Sequence, residues 1–365
     1  MQLHYSYYHD KERMKIALNI SAVSDDQKNL HKVRGIGTYT HELFASLCKY
    51  SKDFEIVGFT HENELPTDVD VVHYPYFDPY FFSLPLIKRK KTIVTVHDFI
   101  PLLYPEHFPA GTKGSLRWQI QKMLLKRVEG VISVSDATAR DFVHFTGMKN
   151  KKVQTIYSAA SETYADTLPD SELKVIEKKY HLPEKYLLYV GDVTWNKNLP
   201  RIVKAAKNTG MPLVLVGKAV IGEFDHSNVW NKDLEQVVMF TKNDPAFQLL
   251  GYVPQEDLAG IYRQASMLLF PSLYEGFGLP ILEAMLSNCP VLTSDRGGIP
   301  EVAGDAALFV DPESIDAITG GIKIIVENRT FRQNLVRSGA ARVKQFSWRK
   351  TAEQTLNFYE EICSK

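Results

Sequence analysis

The densest grouping of residues capable of chemistry runs Glu275-Gly276-Phe277-Gly278-Leu279-Pro280-Ile281-Leu282-Glu283. Its two glycines leave a loop whose backbone can approach a ligand closely. Pro280 suits the first residue of a helix. The amides of Gly278 and Leu279 would then point out of a helix N-terminus, a natural seat for phosphate. Glu275 at a strand end and Glu283 in the first helical turn would flank that seat. A carboxylate can accept two hydrogen bonds from vicinal hydroxyls, which sugars and riboses offer.

Three further groups have the right types. Arg34-Gly35-Ile36-Gly37-Thr38-Tyr39 reads as a second glycine loop before a helix, whose amides could cradle a phosphate. Taken alone, a GxG is an equally good turn signal. Gly191-Asp192-Val193-Thr194-Trp195-Asn196-Lys197-Asn198 places Lys197 just beyond an apolar run, where an ammonium can neutralise a diphosphate. His97 ends the run Thr92–Val96, so its ring is expected to face whatever lies at the strand end.

These residues need elements to hold them, and the chain supplies a regular series. Short apolar runs occur at Ile16–Ile20, Phe54–Phe59, Val69–His73, Thr92–Val96, Gly130–Val134 and Val153–Tyr157. A second series follows at Tyr186–Val190, Leu213–Val216, Met267–Phe270, Pro290–Thr293 and Ala307–Val310. Most are apolar on both faces, as in parallel strands covered on both sides, and helical patterns separate them. Two such series predict an α/β protein of two doubly wound, Rossmann-like domains facing a central cleft. The domains expected are 14–170 and 171–346, after a non-catalytic extension at 1–13. A closing helix over 347–365 has Trp348, Ala352, Leu356 and Tyr359 on one face and is expected to cross back to the first domain. Ligands of such sheets sit at the carboxyl ends of the strands, where all the groups above fall.

Composition narrows the classes. Of 365 residues, 43 are Lys or Arg and 43 are Asp or Glu, and this zero net charge argues against a nucleic-acid partner. The 3 cysteines, Cys48, Cys289 and Cys363, lie too far apart for a disulfide scaffold or a Cys-rich metal site, and fit a reducing compartment. No apolar run reaches the roughly 18 residues that a membrane helix needs. The N-terminal residues lack the apolar core of a signal peptide. A cytoplasmic protein is expected, with a peripheral position on the inner face of the membrane as its variant.

The chain resembles glycosyltransferase family 4, the retaining group with the GT-B fold, from Met14 onward. Ser272–Met285 matches that family's donor-site motif, and Gly297–Glu301, Gly304-Asp305 and Asp311-Pro312 continue the match. Gly251-Tyr252-Val253 with Leu258, Tyr262 and Ala265 resembles the segment before it. Arg34–Leu43, His73-Tyr74-Pro75, Val94–Leu102 and Ile132–Asp141 resemble the acceptor domain, and His97–Leu102 with Gly35–Thr40 is similar to bacterial mannosyltransferases of group 1. The resemblance implies a nucleotide-diphosphate sugar, GDP- or UDP-linked, as co-substrate, a glycan or lipid-linked glycan as acceptor, and no cofactor. It also implies roles. Glu275 contacts the hexose, with the amides of Phe277 and Gly278. Leu279 offers its amide to phosphate, Glu283 holds the ribose, and Lys197 binds the diphosphate. Val253 meets the base through its backbone, Gly37 approaches the phosphate, Gly191 and Asn196 line the donor site, and His97 touches the sugar or supports charge at its anomeric carbon. Catalysis would fall to His97, Glu275 and Lys197.

One departure stands out. Family members often carry an Arg where this chain has Asp192 or Asn196, which leaves Lys218 or Arg296 as substitute cations. No carboxylate pair of the hydrolase kind is evident. Front-face transfer with retention is therefore expected, with the leaving diphosphate taking the acceptor proton. Asp68-Val69-Asp70 looks like a metal-binding DxD but precedes a strand with no other ligand nearby, and no metal is implied. The alternatives are a nucleotide-sugar epimerase on the same fold or a non-catalytic sugar-nucleotide sensor. A phosphorylase would need a lysine-bound pyridoxal phosphate and a much longer chain. Lys88–Lys91 is basic, and 112–128 carries Leu116, Ile120, Leu124 and Val128 on one stripe among cations, so these two segments are candidate membrane contacts.

Overall fold

The computed structural model describes residues 13–23, 35–217 and 229–364. The expected N-terminal extension (Arg13 apart), Arg34 and Lys218 lie outside them. Two six-stranded sheets, parallel throughout, form the frame. The first is built from β1 (Met14–Asn19), β2 (Phe54–Phe59), β3 (Val71–Tyr74), β4 (Lys91–Val96), β5 (Gly130–Ser133) and β6 (Lys152–Thr155), in the order β2-β1-β3-β4-β5-β6. Its helices are α1 (Gly35–Tyr50), α2 (Ile100–Leu103), α3 (Gly111–Arg127) and α4 (Asp136–Thr146).

The second sheet joins β7 (Leu187–Val190), β8 (Leu213–Val216), β9 (Phe247–Gly251), β10 (Met267–Phe270), β11 (Val291–Thr293) and β12 (Leu308–Phe309), in the order β12-β11-β10-β7-β8-β9. Around it lie α5 (Asp170–Tyr180), α6 (Leu199–Thr209), α7 (Lys232–Thr241), α8 (Gln255–Gln264), α9 (Leu279–Leu286), α10 (Ile299–Ala303), α11 (Ile315–Glu327) and α12 (Arg329–Arg342). The central strands β7, β8 and β10 are almost wholly buried. Each Val, Leu or Phe so enclosed contributes about 1.5–3 kcal/mol. The chain passes from β7 outward to β9, then returns to β10 on the other side of β7, so the switch point lies between β7 and β10. That is where an open parallel sheet binds its ligand.

The closing helix α13 (Trp348–Cys363) returns to the first sheet. Its Trp348, Ala352, Leu356, Phe358 and Tyr359 are buried with Ile16, Leu18 and Leu43 in one core. Gly130 is fitted to this contact, since a Cβ there would lie 2.6 Å from the Phe358 ring. His73 ties the helix further: Nδ1 meets the Tyr359 hydroxyl at 2.7 Å and Nε2 the Thr95 hydroxyl at 2.8 Å.

Several local expectations need correction. β9 is a strand that pattern reading passes over, because its Phe-Gln-Leu-Leu-Gly run carries Gln248 and no β-branched residue. The Gly35–Gly37 segment is the first turn of α1 rather than a preceding loop. α9 begins at Leu279, so Pro280 is its second residue and Glu283 opens its second turn. The apolar stripe of α3 is divided: Leu124 and Val128 are buried in the domain core, whereas Leu116 is exposed. Asp68 and Asp70 precede β3, where Asp68 pairs with the Lys15 ammonium and Asp70 accepts the Lys15 amide.

Candidate functional site

The two sheets meet at their carboxyl ends. Glu275 sits on the segment after β10 and is only 7% exposed. Both its oxygens accept from Lys197 Nζ, at 2.8 and 2.9 Å. Lys197 closes a single 3-10 turn, Trp195–Lys197, after β7. The pair therefore spans the switch point. Asn196 does not reach outward: its Nδ2 donates to the Tyr274 carbonyl at 3.1 Å, and its own carbonyl accepts the Leu273 amide at 2.7 Å. Asn198, in the left-handed region at φ 60°, donates to the carbonyls of Pro271 and Pro312 at 2.9 and 2.6 Å. These braces fix the loop that carries Glu275.

Gly276 packs directly against the other domain. A Cβ there would lie 1.8 Å from the His97 carbonyl oxygen. Gly278, at φ 111°, is the N-cap of α9, whose first turn opens at Leu279, four residues after Glu275, and has no side-chain cap. Four residues further, Glu283 accepts from the Tyr262 hydroxyl at 2.9 Å. Burial pushes the Glu283 carboxyl up to about 7, with the Tyr262 hydrogen bond opposing the shift. Gly191 has φ 152° and donates to the Val216 carbonyl, so β7 and β8 end side by side. Val253 is buried behind the end of β9.

From the first domain, His97 donates from Nε2 to the Pro75 carbonyl at 2.8 Å, the tautomer being assigned because a carbonyl only accepts. Burial drives this imidazole down to about 4, so the ring is neutral at pH 7 and holds no cation for the anomeric carbon. The Tyr39 and His97 rings stand perpendicular, with centroids 4.7 Å apart. Gly37 is itself buried, in a first turn of α1 whose Gly35 is exposed.

Sequence reasoning gave no role to several residues here. Asp98 follows His97, and burial raises its carboxyl to about 6, with nearby Glu275 and Asp78 adding to the shift. Glu301 of α10 reaches across the domains: its carboxylate accepts the amides of Asp136 and Ala137 at 2.7 and 2.8 Å, capping α4. Tyr157 adds a hydroxyl to the same carboxylate at 3.2 Å. Tyr274 donates to Asp141 at 2.5 Å, and Trp195 stacks on His107 at 3.9 Å. No spacing rule pairs residues this far apart in the chain. Arg296 is exposed beside Asp295, 3.6 Å away. Among the described residues, no three His, Cys, Asp or Glu are grouped to hold a metal ion, and no helix is long and apolar enough to cross a membrane.

Two parallel α/β domains joined at their strand ends, with a helix of the second returning to the first, make the GT-B arrangement of glycosyltransferases. Comparison with known proteins agrees. The model of glycosyl transferases group 1 matches residues 173–342, and that of Glycosyltransferase Family 4 matches 59–161. The O-antigen chain mannosyltransferase B of Escherichia coli is 32% identical over 301 residues, covering 80% of this chain and 75% of that protein. The serotype-specific mannosyltransferase WbdA of Escherichia coli is 26% identical over 298 residues, and that match spans 78% of this chain but only 35% of WbdA. Among solved structures, sucrose-phosphate synthase of Thermosynechococcus elongatus superposes with a TM-score of 0.73 at 19% identity, covering 96% of this chain and 100% of that one. Anabaena HepE in complex with UDP and glucose gives 0.70 at 17% identity, covering 95% and 99%. The chain belongs to glycosyltransferase family 4 and is a glycosyltransferase.

Proposed function

We propose that this protein moves a hexose, with mannose the first candidate, from a nucleotide-diphosphate sugar to a glycan or lipid-linked glycan, with retention of configuration. The observation that carries the reading is the Lys197–Glu275 pair at the switch point, beside the head of α9. The names of the Escherichia coli relatives favour mannose, and the HepE complex is a reminder that a UDP-linked donor fits the same fold. Residues 171–346 would take the donor and 14–170 the acceptor.

In this reading Glu275 accepts from the hexose hydroxyls while Lys197 turns from it toward the diphosphate. The first amides of α9, at Gly278 and Leu279, share the phosphate charge with Lys197. Stabilising the departing diphosphate is the main catalytic term, and one such donor is typically worth about 10²–10³ in rate. The leaving oxygen takes the proton of the acceptor hydroxyl on the same face of the sugar. His97 contributes a neutral ring that lines the sugar. Glu283 receives the ribose hydroxyls, Val253 meets the base by its backbone, and Gly37 and Gly191 leave room for the phosphates. Neither a metal ion nor a cofactor is part of the mechanism. The reaction would take place in the cytoplasm.

A thermal-shift panel with GDP, UDP, ADP and dTDP, with and without magnesium, tests this. A nucleotide at 100 times its dissociation constant adds about 2.7 kcal/mol. One clear metal-independent shift is expected, and it fixes the donor base. No shift with any of the four would refute the donor site.

A further inference from the structure

We propose that Tyr104 and His107 of the first domain are positioning residues for transfer, which act by gripping Trp195 and so holding the turn that carries Lys197. Lys197 is the single cation of residues 191–198, and a short element sets its place. Trp195–Lys197 is one 3-10 turn, and the Thr194 side chain does not cap it. Hydrogen bonds in such a turn are poorer than those of an α-helix, so its position depends on what packs against it.

That packing comes from the other domain. The Trp195 and His107 rings are stacked, with centroids 3.9 Å apart and planes 12° from parallel. The Tyr104 ring lies 4.6 Å from the indole at 48°, and the Phe108 ring 6.4 Å away at 82°. Aromatic pairs at these separations attract beyond the area they bury. All three gripping rings come from one compact turn after α2, in which the Tyr104 carbonyl accepts the amides of His107 and Phe108, both at 3.0 Å. The turn is tied back toward the cleft. The Tyr104 amide donates to the Ile100 carbonyl at 3.0 Å, and Asp98, next to His97, accepts the Ile100 amide at 3.0 Å. The segment that begins at His97 thus ends on Trp195.

Tyr104 also reaches the second loop of the site. Its ring is 6.0 Å from that of Tyr274, the residue before Glu275. Tyr274 is held in turn by Asn196, which donates to its carbonyl, and by Asp141 of α4, which accepts from its hydroxyl. One side chain of the first domain therefore stands against both the Lys197 turn and the Glu275 segment, and this contact limits how far the two can move apart. Three rings already pack on the indole, which makes it a contact between domains rather than an open platform for a sugar. An ammonium that stabilises a departing diphosphate must stand where the charge develops, and a misplacement of about 1 Å can cost about a hundredfold in rate. The role of Lys197 here rests on the donor-site reading above.

The test has two arms. The first needs no substrate: acrylamide quenching of Trp195, read in each background as the difference from its Trp195→Phe counterpart. Trp195 should be shielded in wild type and lose that shielding in His107→Ala and in Tyr104→Ala. The second is release of nucleoside diphosphate from the GDP- or UDP-hexose that wild type consumes. His107→Ala and Tyr104→Ala should each lower kcat about tenfold or more with KM nearly unchanged. His107→Phe and Tyr104→Phe keep the rings and should restore most of the rate. In a Lys197→Ala background the alanine changes should cost less than about twofold, because their effect passes through Lys197. The His107 side chain is 38% exposed, so His107→Ala decides the matter if Tyr104→Ala does not fold. His107→Phe as slow as His107→Ala would make the imidazole itself a reacting group, and losses that multiply in full with Lys197→Ala would make the rings an acceptor contact. Either result overturns the proposal, as does unchanged shielding of Trp195. Undiminished release by Lys197→Ala would refute the donor-site reading and this proposal with it, whereas a Lys197-dependent enzyme indifferent to both alanine changes would overturn the proposal alone.

Discussion

Replacing Lys197 by Ala isolates the Glu275 carboxylate in a site where it is 7% exposed. Breaking one partner of a buried ion pair is typically destabilising by about 3–5 kcal/mol, because a charge is left without compensation. The side chain of Lys197 is 20% exposed, and residual solvation puts the expectation at the lower end, about 3 kcal/mol. For a domain of 150–250 residues that is a fall in melting temperature of about 6–12 °C. The sign with pH follows. A carboxyl without its cation is easier to bury neutral than ionised, so the penalty is smallest at acid pH and grows as pH rises. The deficit of Lys197→Ala relative to wild type should therefore be larger at pH 8 than at pH 5. In the double variant Lys197→Ala/Glu275→Gln no charge is stranded, and much of the loss should return. Thermal unfolding of wild type, both singles and the double at the two pH values measures all of this. A deficit under about 0.5 kcal/mol at pH 8, the scatter of ordinary surface substitutions, or a double variant whose loss is the sum of the singles, would refute the reasoning.

Other consequences are simpler. Since the Glu283 carboxyl sits at about 7 in the free protein, its ionised fraction rises from about a tenth at pH 6 to nine-tenths at pH 8. Nucleotide affinity should strengthen up to about ninefold over that range, and Glu283→Gln should flatten the profile in calorimetry. Glu301→Ala removes two amide bonds at the start of α4 and a contact between domains. A loss of about 1–2 kcal/mol is expected by denaturant titration. Gly276→Ala puts a Cβ 1.8 Å from the His97 carbonyl and should force the domains apart, with loss of turnover and a larger radius in small-angle scattering.

What could be read in advance depended on how local the cause was. The central strands of both sheets announced themselves because burial on both faces demands runs of apolar residues. β9 escaped, unlike the other edge strands β2, β6 and β12, because Gln248 interrupts its apolar run and it holds no β-branched residue. The head of α9 was legible from Gly278 and Pro280, yet its start at Leu279 moved Glu283 into the second turn. The Glu275 carboxylate and the Lys197 ammonium were each visible as types. Their union was not, since 78 residues separate them and only the order of β7 and β10 brings them together. The same holds for Glu301 on α4 and for the bracing by Asn196, which the family resemblance had assigned to the donor site. The neutrality of His97 is a property of its surroundings, and those exist only after folding.

The most direct test of the account is transfer itself: GDP- and UDP-hexoses incubated with glycan acceptors in EDTA, with the anomeric configuration of the product read by NMR. The account predicts acceptor-dependent release of one nucleoside diphosphate, a product with the donor's configuration, and loss of both with Glu275→Gln. An inverted product, a strict need for metal, or undiminished transfer by Glu275→Gln would contradict it.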